Sequence, residues 1–319
     1  MQKNSGRIVI LGTGGTIAGK AAQAGDNVGY TAGQLTVADL LTSVPALKDW
    51  PLQLEQVAQL DSKDMSHAVW QQLAQRVQAH LDDPEVAGVV ITHGTDTLEE
   101  TAWLLHRVLM PTKPVVLTAA MRPATSLQPD GPQNLLDAVT LAAQPGVQGV
   151  LAMLAGAVYD AAGVRKWHPY RIDAFSGGDD GPVARLVEGQ LLPLRPWPTG
   201  MALGVDVLQG DVAHWPKVAV VTSHAGLDAE LLQAQLAAWQ ALGLAGVVFE
   251  GTGNGTLHVA IENAAAALKA AGCEVLRTSR CQGGSVVGAP AGALPSAGEL
   301  GPGKARVELL LRALKRRSA

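Results

Sequence analysis

The segment Arg7-Ile8-Val9-Ile10-Leu11-Gly12-Thr13-Gly14-Gly15-Thr16-Ile17-Ala18-Gly19-Lys20 runs from an unbroken apolar stretch straight into glycine. A strand without polar alternation is buried on both faces, as in a parallel sheet between two layers of helices. The glycines after it fall at the carboxyl end of that strand. Open α/β sheets place ligands there, because backbone N–H groups are exposed.

The same pattern continues outward from this segment. Short β-branched runs at Val86–Thr92, Pro114–Thr118, Val147–Leu154, Lys217–Thr222, Gly246–Glu250 and Glu274–Arg277 alternate with stretches of helical period. The helical stretches are Ser66–Leu81, Thr97–Val108, Gln133–Ala142, Asp228–Leu242, Leu257–Ala271 and Lys304–Arg316. Between Gly189 and Pro216 the alternation lapses into Leu192-Pro193-Leu194-Arg195-Pro196-Trp197-Pro198-Thr199-Gly200, which reads as an extended connector, since proline fixes φ and lacks a ladder donor. The expectation is an α/β chain of two domains with mainly parallel sheets: an N-terminal one over 1–190, a linker over 191–215 and a C-terminal one over 216–319.

Composition excludes several classes of function. Of 319 residues, 47% are hydrophobic and only 4% aromatic, so the core is aliphatic and the chain is not intrinsically disordered. The net charge is −4 and the basic residues are dispersed, apart from Lys315-Arg316-Arg317, which argues against a nucleic-acid surface. Cys273 and Cys281 are too few for a disulfide framework and read as two reduced thiols, pointing to a cytoplasm. The first apolar run is too short for a secretory leader, and no stretch of about 18 apolar residues is present for a membrane span.

The first glycine-rich turn has competing readings. A dinucleotide fingerprint needs glycine or alanine three residues after Gly14, where Ile17 stands. Gly14-x-x-x-x-Gly19-Lys20 follows a phosphate loop until the hydroxyl residue that would hold magnesium, where Ala21 stands. Thr16 is either a helix cap or a nucleophile held on a tight turn. A second group of hydroxyls, His93-Gly94-Thr95-Asp96-Thr97-Leu98-Glu99-Glu100-Thr101, follows the strand Val86–Thr92. It reads as a helix start, with Thr95 or Asp96 as cap, or as a second set of polar groups at the same sheet edge.

Together Thr13-Gly14-Gly15-Thr16-Ile17-Ala18-Gly19 and His93-Gly94-Thr95-Asp96-Thr97 resemble the two signature segments of the bacterial-type L-asparaginases, which include glutaminase-asparaginases. Asp61-Ser62-Lys63-Asp64-Met65, Ala120-Met121-Arg122-Pro123, Asp130-Gly131-Pro132-Gln133-Asn134-Leu135, Pro216-Lys217-Val218 and Gly251-Thr252-Gly253-Asn254-Gly255 extend the resemblance over nearly the whole chain. It implies a larger N-terminal and a smaller C-terminal domain, a homotetramer (a dimer of dimers) with sites at subunit interfaces, and hydrolysis of the side-chain amide of asparagine without metal or organic cofactor. A transamidation subunit that shares this module carries an extra N-terminal domain, whereas here the first motif lies within the opening residues.

The resemblance also implies roles for individual residues. Thr16 is the nucleophile. Thr95, Asp96 and Lys166, the last in Gly163-Val164-Arg165-Lys166-Trp167-His168, form a second triad. Tyr30, in the glycine-rich stretch Gly25–Gly33, is the tyrosine of a lid. Ser62, Asp96, Gly15, Ala120 and Asp61 are the expected substrate contacts, Ser62 for the α-carboxylate and Asp96 for the α-ammonium. A lysine base needs its proton loosened, and Arg165 together with burial is the expected source. Two departures stand out. Lys63 occupies a position where many secreted members have glutamine, and Cys281–Pro290 lacks the acidic residue that some members donate across an interface.

Overall fold

The computed structural model describes residues 6–23, 25–288 and 292–318, so residues 1–5 before the first apolar run and the end of the segment Cys281–Pro290 lie outside the described residues. The chain divides into two units, Met1–Val205 and Asp206–Ala319. The strands of the first unit are β1 (Arg7–Gly14), β2 (Lys20–Ala21), β3 (Tyr30–Thr31), β4 (Leu52–Leu60), β5 (Val86–Thr92), β6 (Pro114–Thr118), β7 (Gly149–Leu154), β8 (Ala157–Asp160), β9 (Arg165–Lys166), β10 (Phe175–Ser176), β11 (Ala184–Val187) and β12 (Gln190–Pro193). Its helices are α1 (Val37–Thr42), α2 (His67–Leu81), α3 (Leu98–Leu109) and α4 (Gly131–Ala142).

Eight of these strands form one sheet in the order β12-β11-β8-β7-β6-β5-β1-β4. From β4 to β7 every pair is parallel, and β8, β11 and β12 extend the sheet antiparallel. Side chains alternate across the strands, so both faces of β1 must be covered. Ile8 and Ile10 join Val90, Val116 and Leu151 in a cluster against α1 and α4. Val9 and Leu11 are equally buried on the opposite face, where α2 and α3 pack.

The strand order positions the site. β1 lies between β4 and β5, so the chain leaves β1 toward one side of the sheet, returns through β4 and α2, and leaves β5 toward the other. The carboxyl ends of β1 and β5 therefore flank a topological switch point, where diverging loops leave a crevice.

In the second unit β13 (Lys217–Thr222), β14 (Leu244–Gly251) and β15 (Glu274–Ser279) form a parallel sheet, with α5 (Ala229–Ala241), α6 (Val259–Ala270) and α7 (Pro302–Ser318). Phe249, Val247 and Val275 pack with Leu232, Leu236, Ile261 and Leu268 of α5 and α6, while α7 contacts all three strands.

The strands absent from the sequence reading have a physical reason. β4 is the sheet's edge and alternates polar with apolar, Leu52-Gln53-Leu54-Glu55-Gln56-Val57, so it lacks the unbroken apolar run. β8, β11 and β12 are four residues each. β12 also falls inside the proline-rich stretch read as a connector, and Pro193 is tolerated there because β12 is the opposite edge.

Candidate active site

The first turn is built on glycines. Gly14 has φ +103°, and a Cβ on it would lie 2.4 Å from the Leu60 carbonyl oxygen. Gly15, at φ +80°, donates its N–H to that same oxygen at 2.8 Å. Only glycine takes this path at no steric cost. Thr16–Ala18 then form one 3-10 turn, closed by the Ala18 and Gly19 amides on the Gly15 and Thr16 carbonyls. The Thr13 hydroxyl ties the turn to β5 by donating to the Thr92 carbonyl at 3.0 Å. The turn's N-cap residue is Gly15, so the Thr16 hydroxyl is not engaged in capping. Beyond it Gly19-Lys20 enters a hairpin, not the helix a phosphate loop requires.

The second turn crosses the first. A Cβ on Gly15 would lie 2.3 Å from Gly94 Cα, and one on Gly94 would lie 2.5 Å from Ser62 Oγ. Three chain segments thus meet where none can carry a side chain beyond Ser62's own. Ser62 Oγ accepts the Asp96 N–H at 3.2 Å, and the Thr97 hydroxyl donates to the Ser62 carbonyl at 2.8 Å. The N-cap of α3 is Thr97, whose side chain makes no capping bond. Thr95 and Asp96 therefore precede the cap, and the reading of either as the cap is corrected.

Lys166 joins from a distant stretch. Its ammonium donates to Thr95 Oγ1 at 2.9 Å and to Asp96 Oδ1 at 2.5 Å. Its backbone is fixed by pairing with Phe175 and by donation of its N–H to Glu99 Oε2 at 2.8 Å, in the first turn of α3. The charged group that the lysine touches is the Asp96 carboxylate. Thr95 is buried, at 5% exposed, whereas the Asp96 side chain is 52% exposed.

β2 and β3 form a hairpin that brings the Tyr30 hydroxyl to 2.7 Å from Thr16 Oγ1. Tyr30's ring packs on Gly19, where a Cβ would stand 2.8 Å from Cδ2. At the tip, Asp26 accepts the Val28 and Gly29 amides, and these bonds hold its carboxyl below the usual range. The hairpin is stitched to the loop after β6: Thr125 Oγ1 accepts from Ala21, Thr125 O from Gly25, and Gly19 O from Ala124. That loop is held in turn by Asp130, which accepts the Met121 and Arg122 amides.

The remaining expected contacts are placed as follows. Asp61 caps the 3-10 turn Ser62–Asp64 and pairs with Lys63 at 3.2 Å. Lys63 also pairs with Asp64 at 2.8 Å, both on the exposed side of the turn. Ala120 is fully buried, its methyl packed in the core beside Ile17 and Leu135.

Three contributions escape a reading by motif: Glu99, three residues after Asp96, and the pair Thr101 and Trp70 behind His93. Trp70 Nε1 donates to Thr101 Oγ1 at 2.9 Å, Thr101 Oγ1 lies 3.0 Å from His93 Nε2, and His93 Nδ1 lies 2.7 Å from the Gly94 carbonyl oxygen. Burial lowers the His93 pKa from 6.5 to about 4, against a smaller opposing effect of the Gly94 bond. An acidic residue in the first turn of α3 was the one available signal for Glu99. Among the described residues, no three His, Cys, Asp or Glu side chains gather as a metal site requires.

The site's two turns are thus threonines on glycine supports, one facing a tyrosine and one facing a lysine and a carboxylate. Comparison with known proteins gives the family. Residues 7–197 match the family model described as asparaginase, N-terminal, and residues 217–318 the glutaminase/asparaginase C-terminal domain. L-asparaginase 2 of Escherichia coli (strain K12) is 36% identical over 317 residues, covering 95% of this chain and 88% of its own. Glutaminase-asparaginase of Pseudomonas aeruginosa is 32% identical, covering 90% and 78%. The crystal structure of the probable cytoplasmic L-asparaginase from Campylobacter jejuni superposes with a TM-score of 0.85 at 35% identity, covering 96% of this chain and 94% of that one. With both family domains in sequence order on the expected α/β frame, the chain belongs to the asparaginase family of amidohydrolases.

Proposed function

We propose that this chain hydrolyses the side-chain amide of L-asparagine to L-aspartate and ammonia through an ester on Thr16. The observation that carries the reading is the Thr16–Tyr30 contact, 2.7 Å between hydroxyls, on a turn packed directly against the one that bears Thr95. An unactivated amide resists water at neutral pH, so the nucleophile, the proton acceptor and the oxyanion donors must all be supplied.

In the first step Thr16 Oγ1 bonds to the amide carbon as its proton passes to Tyr30, which hands its own phenol proton to the amide nitrogen, and the carbonyl oxygen takes up negative charge. Backbone amides at Thr16 and Thr95 stabilise that charge. Collapse expels ammonia, which carries the phenol's proton as its third, and leaves the aspartyl ester. Water then attacks the ester as Thr95 Oγ1 takes its proton and passes its own to Lys166, which has released one to the Asp96 carboxylate, and the same relay run in reverse reprotonates Thr16 when the ester breaks. Ser62 binds the α-carboxylate and Asp96 the α-ammonium, its half-exposed carboxylate having room for a second cation beside Lys166. Gly15, Ala120 and Asp61 line the substrate through backbone or edge contacts.

A broader amide specificity that includes L-glutamine is the second reading, favoured by the similarity to a glutaminase-asparaginase. One methylene in a pocket is worth only about 1–3 kcal/mol, so both activities fit one site. We infer a cytoplasmic homotetramer as the working form. Both cysteines are free thiols, and the Campylobacter neighbour is described as probably cytoplasmic, although a Haemophilus influenzae relative is described as periplasmic. No helix among the described residues is long and apolar enough to cross a membrane.

The deciding experiment is ammonia release from L-Asn, D-Asn, L-Gln and small acyl amides by the full chain, with Thr16→Ala and Thr95→Ala alongside. Release from L-Asn, abolished in both variants with the fold intact, is expected. Full activity in both variants overturns the mechanism.

A further inference from the structure

His93 is a buried titratable group that the proposed reaction does not use. It is fully buried at the end of β5, between α2 and α3. Its surroundings dictate its tautomer from both ends. The Gly94 carbonyl oxygen, 2.7 Å from Nδ1, can only accept, so Nδ1 carries the proton. At the far end the Trp70 indole can only donate, so it occupies a lone pair of Thr101 Oγ1 at 2.9 Å. Thr101 then turns its own proton to His93 Nε2, 3.0 Å away. The chain of donation runs one way, from Trp70 through Thr101 and His93 to Gly94.

The consequence lies on the other side of the Gly94–Thr95 peptide. In a trans peptide the C=O and N–H point in opposite directions. Holding the Gly94 oxygen on the buried, His93 side turns the Thr95 N–H away from it, and no described residue accepts that N–H. Gly94 is also the residue packed on both Gly15 and Ser62, so its peptide cannot tilt without moving all three segments.

We propose that His93, oriented by Thr101 and Trp70, is a positioning residue that fixes the Gly94–Thr95 peptide so that the Thr95 N–H is presented to the developing oxyanion of the amide substrate. The proposal rests on the amidohydrolase reading above. It assigns His93 no proton transfer: the ring is a neutral Nδ1–H donor throughout the cycle.

Two readouts test it on the full chain. In steady-state ammonia release, His93→Leu and Thr101→Val should lower kcat while leaving KM within about threefold. Loss of one oxyanion donor costs about 10²–10³ in kcat, so a misaligned one should cost about 10–10². His93→Asn, whose side-chain N–H can reach the Gly94 oxygen from the Nδ1 position, should recover kcat to within about tenfold of the parent. A general loss of structure would raise KM and would not be rescued by asparagine. Parent-like kcat in folded His93→Leu overturns the proposal, as does asparagine rescuing no better than leucine.

The second readout is independent of activity and of whether a variant folds. In the parent protein labelled with ¹⁵N-histidine, the His93 resonances should report the Nδ1–H tautomer and stay unchanged between pH 5.5 and 8. An Nε2–H tautomer, or a ring that titrates in that range, overturns the proposal. A parent that releases no ammonia from any amide overturns the function it serves instead, and the tautomer then decides the positioning alone.

Discussion

Gly15 and Gly94 pack backbone to backbone, so closely that a Cβ on Gly15 would fall 2.3 Å from the Gly94 Cα. This contact fastens the turn that carries Thr16 to the turn that carries Thr95. The two glycines are required for different reasons: Gly15 has φ +80°, whereas Gly94 is excluded from bearing a side chain by contact alone. Gly94→Ala should therefore cost about 1–3 kcal/mol from overpacking, and Gly15→Ala about 1–2 kcal/mol more for its left-handed backbone. Urea unfolding of both variants checks the order. Both should lose activity beyond their loss of stability, because the clash pushes Thr16 and Thr95 apart.

Tyr30 provides the second prediction. Its hydroxyl lies 2.7 Å from Thr16 Oγ1, and its ring covers Gly19. Tyr30→Phe keeps the ring and removes only the hydroxyl that faces Thr16. Positioned proton transfer contributes about 10²–10⁴ in rate, so kcat should fall by that order with KM little changed. Thermal unfolding should move by less than about 1 kcal/mol equivalent, since the hydroxyl makes one half-buried bond. A variant retaining more than half of parental kcat would remove Tyr30 from the chemistry.

The lysine and its support can be separated. Lys166→Met removes both the bond to Thr95 and that to Asp96. It should lower kcat by about 10²–10⁴, in line with loss of a proton-transfer partner. Glu99 acts one step back, accepting the Lys166 N–H in a geometry that a glutamine oxygen can reproduce. Glu99→Gln should stay within about tenfold of the parent, and Glu99→Leu should fall further. Steady-state kinetics on the three variants give the ranking. Equal losses in Gln and Leu would assign the effect of Glu99 to its charge.

Particular residues explain how far the sequence could be read. Ile8–Leu11 and Val86–Thr92 declared buried parallel strands because both faces of each are covered, and glycine after each marked the turns that carry Thr16 and Thr95. β4 stayed hidden because edge exposure gives it polar alternation and no turn signal of its own. Lys166 was placed by resemblance alone, since a two-residue strand 71 positions from Thr95 leaves no periodicity to read. Its ammonium meets Asp96, 70 positions earlier in the chain, because the fold brings the loop after β5 onto β9. The His93–Thr101–Trp70 chain joins three elements through side chains that each look ordinary in their own segment.

His93 also sets a pH dependence of stability. Its folded-state pKa of about 4 lies below the unfolded value of 6.5, so the unfolded chain binds the proton more readily between those limits. Unfolding takes up a proton there, and stability rises with pH. The stability belonging to the neutral, buried ring is present in full above pH 6.5 and is withdrawn as pH falls from 6.5 toward about 4. At about 1.4 kcal/mol per pKa unit, the loss across that window is about 3 kcal/mol. Carboxylates held low by partners, such as Glu55 beside Arg76 and His80, also lose their contribution in acid, so the parent curve alone does not isolate His93. His93→Asn retains those carboxylates and removes the titrating ring. The difference in unfolding free energy between parent and His93→Asn, measured by urea at pH 7.5 and again at pH 4.5, should shift by about 2–3 kcal/mol in favour of the variant at the lower pH. Parallel curves across the two conditions would show that the ring is as readily protonated folded as unfolded, and that burial does not hold it neutral.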